Sequence, residues 1–163
     1  MATSSELCQL KGGCMGCCGY DFVSKEKINR AIRQNTAEFN SLKNKSKQEL
    51  LGFRDRAHPY DLLHGVCRNL IEEEGKIFCP LHPFRNKGDD LRKGHCDIDY
   101  LCKTAREFAG WDEAKQKLFL EFIAEMNIDN ITHSLKIEDN SLLKEFREFS
   151  SRQRRLLLPS DKH

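Results

Sequence analysis

The chain reads as helical stripes separated by loops that carry thiols. Ser24 is a good N-cap, and Ile28, Ala31 and Ile32 follow at helical spacing toward Phe39. A polar stretch from Asn40 to Lys47 interrupts that stripe. Ser46 and Glu49 then fit a capping box ahead of Leu50, Leu51 and Phe53 on a short helix. Pro59 suits a first helical turn. Leu62, Leu63, Val66, Cys67, Leu70 and Ile71 recur at steps of three and four. This spacing predicts the cleanest amphipathic helix of the first half, ended by Gly75, with Cys67 on its buried stripe.

Residues 76–102 change character. Ile77 to Pro83 forms a turn-rich segment, residues 85–94 read as a solvated excursion, and Gly94 to Lys103 returns to apolar and thiol positions. Beyond them, Leu118, Phe119, Phe122, Ile123 and Met126 form one helical stripe, and Leu142, Leu143, Phe146 and Phe149 another. No long strand or hairpin pattern stands out. The expected fold is mainly α, with irregular cysteine-rich metal-binding loops packed on a helical bundle and little or no β. One domain is expected over 1–163: a cysteine-rich part (1–110), packing helices (111–150) and a basic tail (151–163). The two late stripes are expected to pack on the 62–71 helix, with Cys67 near the centre. The tail sets Arg152, Arg154 and Arg155 beside leucines. It reads as a helix end whose cations face the helix dipole, with contact to an anionic surface or partner as the alternative.

Composition narrows the classes. In 163 residues, 39% are hydrophobic and 32% charged, enough apolar content for a core. The net charge of +2 argues against nucleic acid as a partner. The chain lacks the roughly 18 consecutive apolar residues of a membrane span. Its start has neither a basic nor an apolar leader region, so the expected location is cytoplasmic. There, eight cysteines point to metal or redox chemistry rather than to disulfides. Buried thiols used simply as small hydrophobes are the plainer alternative, strongest for isolated Cys67.

The thiols have a pattern. Cys8, Cys14, Cys17 and Cys18 lie close together among glycines, and Cys67, Cys79, Cys96 and Cys102 follow at long intervals. Thiolates gathered in threes or fours ligate zinc and iron–sulfur clusters. The spacing matches neither a two-cysteine, two-histidine finger nor a bacterial ferredoxin run, and Cys14-x-x-Cys17 lacks the βαβ surroundings of a thioredoxin site. Lys11-Gly12-Gly13 lacks P-loop spacing. Adjacent Cys17 and Cys18 allow three arrangements. Both reach one ion across a tight bend, one ligates while the other supports, or they serve two metals. Lys11, Arg68, Arg92, Lys93 and Lys103 lie near cysteines in sequence and would offset thiolate charge, or are ordinary surface. His82 and His95 flank cysteines and would complete a site, bond its sulfurs, or be satisfied surface rings. Asp97, Asp99 and Glu72 to Glu74 read as caps or solvent-facing groups rather than catalytic acids.

Cys14-Met-Gly-Cys17-Cys18, then Cys79-Pro80-Leu81, then Gly94-His95-Cys96-Asp97-Ile98-Asp99 and Cys102, resembles the CxxCxxCC family of zinc- or iron-chelating proteins. Cys8 stands six residues before Cys14, where that family usually has three, and Cys67 is the alternative ligand. The resemblance implies a cysteine-ligated iron–sulfur cluster, of 4Fe–4S type, or a zinc site. Zinc is placed second because structural zinc usually uses paired CxxC knuckles, which the later cysteines lack. The expectation is a small metal-binding protein with a structural or redox role, whose partner is the metal ion or cluster. Flagellin lysine methylases carry a similar signature. That keeps open an enzyme or accessory subunit for protein modification, beside a zinc-dependent module with a protein partner.

Overall fold

The structure, a computed structural model, describes residues 5–157. The first two helices start where their caps predict. α1 (Lys25–Asn40) begins with the Ser24 hydroxyl accepting from the Lys27 amide at 3.3 Å, and it buries Ile28, Ala31, Ile32 and Phe39. α2 (Lys47–Asp55) begins with Ser46 accepting from the Glu49 amide. The Glu49 carboxylate in turn accepts from the amides of Lys43 and Asn44, folding the polar stretch over the helix start.

The helix expected over 59–75 is absent. Leu63 and Val66 instead pair across His64–Gly65, whose φ angles are 52° and 86°. Strand β1 (Ile71–Glu73) then runs antiparallel to β2 (Lys76–Phe78), Ile71 opposite Phe78, across Glu74–Gly75 at φ 51° and 74°. Both are two-residue turns with positive φ at both central positions, the kind that matches strand twist. Gly65 and Gly75 enter that region without a Cβ penalty. The three- and four-residue recurrence arises because the turns bring apolar residues back to one side. Val66, Leu70 and Ile77 pack on Ile28, Ala31 and Ile32 of α1, together with Met15 and Ile131. Ile71 joins a second cluster with Phe39, Leu50, Phe53, Leu81 and Leu91. The 85–94 segment is also not wholly solvated, for Asp90 and Leu91 are buried.

Four helices complete the fold: α3 (Lys103–Ala109), α4 (Glu113–Glu125), α5 (Asn130–Glu138) and α6 (Ser141–Leu157). The late stripes do not pack on residues 62–71. They pack on each other, with Ala105, Phe108 and Ile137, around Phe119 and Phe146, whose rings meet edge-on at 4.7 Å. Trp111 closes the same group, 5.2 Å from Phe119. Leu7, from the other end of the chain, is buried in this core. Arg152, Arg154 and Arg155 lie exposed on the last turns of α6, while the rest of the basic tail, 158–163, lies outside the described residues. Among the described residues, no helix is long and apolar enough to cross a membrane.

Burial of Leu7 couples the cysteine-bearing start of the chain to α3–α6. Leu7→Ala is expected to cost about 2–5 kcal/mol in a urea unfolding curve, the range for truncating a buried leucine. A loss below about 1 kcal/mol would mean that Leu7 is not a member of that core.

Candidate metal centre

The cysteine loop is built against α4, α5 and the turn at Leu63–Val66. Residues Glu6–Gly12 form a 3-10 segment broken at Leu10 and Lys11. Lys11 Nζ donates to the carbonyls of Ala124 and Met126 at 2.9 and 2.7 Å, placing a cation at the C-terminal end of α4. The Cys14 amide donates back to the Cys8 carbonyl at 2.9 Å. Met15 is fully buried, and its amide donates to Ser134 Oγ on α5 at 2.9 Å. The Ser134 hydroxyl in turn donates to the Asn130 carbonyl at 2.7 Å. Two glycines allow backbones to touch. A Cβ on Gly13 would stand 2.2 Å from the Ile77 carbonyl oxygen, and one on Gly19 only 1.9 Å from that of Gly65. Beside Gly19, the Cys18 carbonyl accepts from the Cys67 amide at 2.7 Å.

All eight cysteines are free thiols, with Cys17 and Cys96 exposed and the other six half-buried. Three sulfurs accept an amide proton: Cys14 from Gly16 at 3.3 Å, Cys67 from Asn69 at 3.5 Å and Cys102 from Ala105 at 3.4 Å. The last bond makes Cys102 the N-cap of α3. Cys79 directly follows β2, and the Cys96 amide donates to the Arg92 carbonyl at 3.2 Å. Among the described residues, no three His, Cys, Asp or Glu side chains already converge as a metal-ion ligand group. The thiols are nevertheless close enough to feel one another's charge.

Burial is the largest influence on six thiols, raising Cys8, Cys14, Cys67, Cys79, Cys96 and Cys102. Cys14 and Cys79 are pushed up to about 12 and Cys96 to about 11. Neighbouring thiolates add to the effect. Cys18 is raised by donating its proton to Cys17 and by burial. Cys17 moves the other way: the hydrogen bond from Cys18 lowers it to about 7, and the Arg92 charge helps. A Cys17 thiolate in turn raises Cys8, Cys14, Cys18, Cys67, Cys96 and Cys102, so this residue is the electrostatic hub of the group.

The sequence marks Arg92, His82 and His95 as neighbours of the cysteines, but carries no signal for Asp90, Asn69 or Arg56. Arg92 is largely buried and forks onto buried Asp90, with Nε and Nη2 each 2.8 Å from a carboxylate oxygen. Asn69 Nδ2 lies 3.1 Å from His95 Nε2, while its oxygen accepts from Arg56 at 3.0 Å. His82 caps a short 3-10 turn (Pro83–Arg85) by accepting from the Phe84 amide, and its ring stacks on Phe84. Both histidines thus make polar contacts away from sulfur. Asp97, Asp99 and Glu72 to Glu74 face solvent. A groove of about 380 Å³ between α4 and α6, lined by Phe122, Met126, Phe149 and Arg152, contains no thiol. No family model matches the chain, and no curated protein or solved structure does either.

Two predictions follow from these ionisations. In metal-free protein, iodoacetamide should modify Cys17 first, with a rate rising half-maximally near pH 7. Cys18→Ala should shift that midpoint upward, and an unchanged profile would remove Cys18 as the donor. The second concerns fully buried His133, which lies 3.3 Å from the Leu7 carbonyl through Nε2 and has no partner at Nδ1. Burial lowers its pKa, the Leu7 carbonyl opposes that shift, and the Lys11 charge adds to it. The unfolded chain therefore binds the proton more readily, and stability should fall as pH drops below about 6.5 toward the folded-state value. Urea midpoints across pH 7.5 to 5 should show this slope, and His133→Gln should flatten it.

Proposed function

We propose that this is a small metal–thiolate protein in which the cysteines of residues 8–102 hold an iron–sulfur cluster or zinc, in a structural or redox role. The observation that supports it is that six free thiols from distant parts of the chain, Cys8, Cys14, Cys18, Cys67, Cys96 and Cys102, lie near enough to Cys17 to feel its charge. Burial keeps most of them protonated, so ligation must displace protons, and metal affinity weakens as the pH is lowered. The resemblance of the cysteine spacing to the CxxCxxCC family points the same way. An iron–sulfur cluster is placed ahead of zinc. Its several iron atoms accept thiolates set further apart than the roughly 2.3 Å sulfur shell of one zinc ion allows.

Protein purified without oxygen should carry iron with sulfide, or zinc, near stoichiometry, read by elemental analysis and the ultraviolet–visible spectrum. Cys17→Ser and Cys96→Ser should lose metal and thermal stability together, because ligation and folding are linked. Metal-free protein with native helicity and eight freely reactive thiols would overturn the proposal.

A further inference from the structure

We propose that α6 carries a self-pairing surface. Two copies of the chain lay the second halves of this helix antiparallel across a two-fold axis, and each sends Leu156 into the other's groove between α4 and α6. The occupant is a second copy of this chain, and the contact involves none of the thiols.

The apolar positions of α6 outrun its own core. Leu142, Leu143 and Phe146 are buried and Phe149 is half-buried, but Leu156, two turns further on, is 81% exposed. A single exposed leucine is ordinary on a protein surface. This one continues a face, for Glu145, Phe149, Arg152 and Leu156 follow at steps of four, three and four. The first three of them line the groove of about 380 Å³, whose apolar floor is Phe122, Met126 and Phe149. The Phe122 and Phe149 rings lie 5.1 Å apart across it. One side of α6 therefore bears both a protruding apolar side chain and a recess that accepts one.

Charge divides the same face. Glu145 and Glu148 stand on its first half, Arg152 and Arg155 on its second. Glu145 pairs with Lys136 of α5, and Arg147 with Glu107 of α3. Among the described residues, Glu148, Arg152 and Arg155 have no ion-pair partner, although Glu148 and Arg152 are four apart on one helix. The helix dipole favours acids early and arginines late, which accounts for the signs but not for Leu156 or the groove. An occupant that fits must bring a cation to Glu148, an anion to Arg152 and an apolar side chain to the groove. A second α6 running the opposite way brings all three, with Glu148 of each copy facing Arg152 and Arg155 of the other. The two-fold axis repeats every contact, so the surface is complementary to itself. An anionic lipid surface would attract the arginines but meet repulsion at Glu148. The face from 145 to 156 spans about 16 Å. That is short for an interface, so the pair belongs with weak contacts that bury less than roughly 1,200 Å².

The test uses full-length protein kept reduced, so that no disulfide links two copies. Sedimentation velocity from micromolar to millimolar concentration should show monomer passing to dimer, at higher concentration when salt is added. Leu156→Glu should stay monomeric with unchanged helicity, because the side chain it replaces is exposed. Glu148→Arg and Arg152→Glu should each raise the dissociation constant about tenfold. Mixing those two variants should restore the dimer, since one then offers two arginines where the other offers two glutamates. Wild type that is monomeric throughout would overturn the proposal, and its recovery on phosphatidylserine vesicles would assign the face to a lipid surface instead. A dimer that Leu156→Glu leaves intact, or single charge variants that gain nothing on mixing, would place the contact elsewhere and overturn it as well.

Discussion

The arrangement depends on two places where backbone meets backbone with no room for a side chain. Gly13 lies against the Ile77 carbonyl and Gly19 against that of Gly65. These contacts draw the cysteine loop between the β-hairpin and the Leu63–Val66 turn, while Ser134 holds it from α5. A methyl group at either glycine would meet a carbonyl oxygen that belongs to rigid backbone. The thiols keep their positions because the chain between them has so little freedom.

Electrostatics sets the second constraint. Thiols this close disfavour one another's ionisation, and burial adds to the effect. The fork of Arg92 onto Asp90 keeps one cation beside Cys17, Cys79 and Cys96, in a segment that composition alone marks as surface. A buried pair of this kind is weak support for stability but fixes geometry well.

Much of the helical frame was legible. Ser24 and Ser46 marked true caps, and the stripes on α4 and α6 are real core faces. The mainly α fold follows from them. The 59–75 segment was not legible because its apolar spacing suits a helix as well as two tight turns. Leu63, Val66 and Leu70 form one apolar face in either reading, and only the left-handed backbone at His64 and Glu74 separates a helix from the two turns that lay this face on α1. The pairing of the late stripes was misread for the same reason, since the expected partner helix does not exist. In the candidate site, the cysteines were visible one by one. Their grouping depends on contacts between residues far apart in sequence, such as Asn69 with His95 and Met15 with Ser134, which carry no local pattern.

Leu7 and Phe146 belong to one core although almost the whole chain lies between them. During synthesis, Leu7 therefore stays without its native neighbours until α6 has been made. Cys8 and the Cys14–Cys18 run lie beside it and share that delay. A newly made chain thus presents reduced, unshielded thiols throughout elongation, and their final environment forms only after the last helix docks. Long-range closure of this kind is slow. It makes the interval before docking the time when oxidation of the thiols would do most harm.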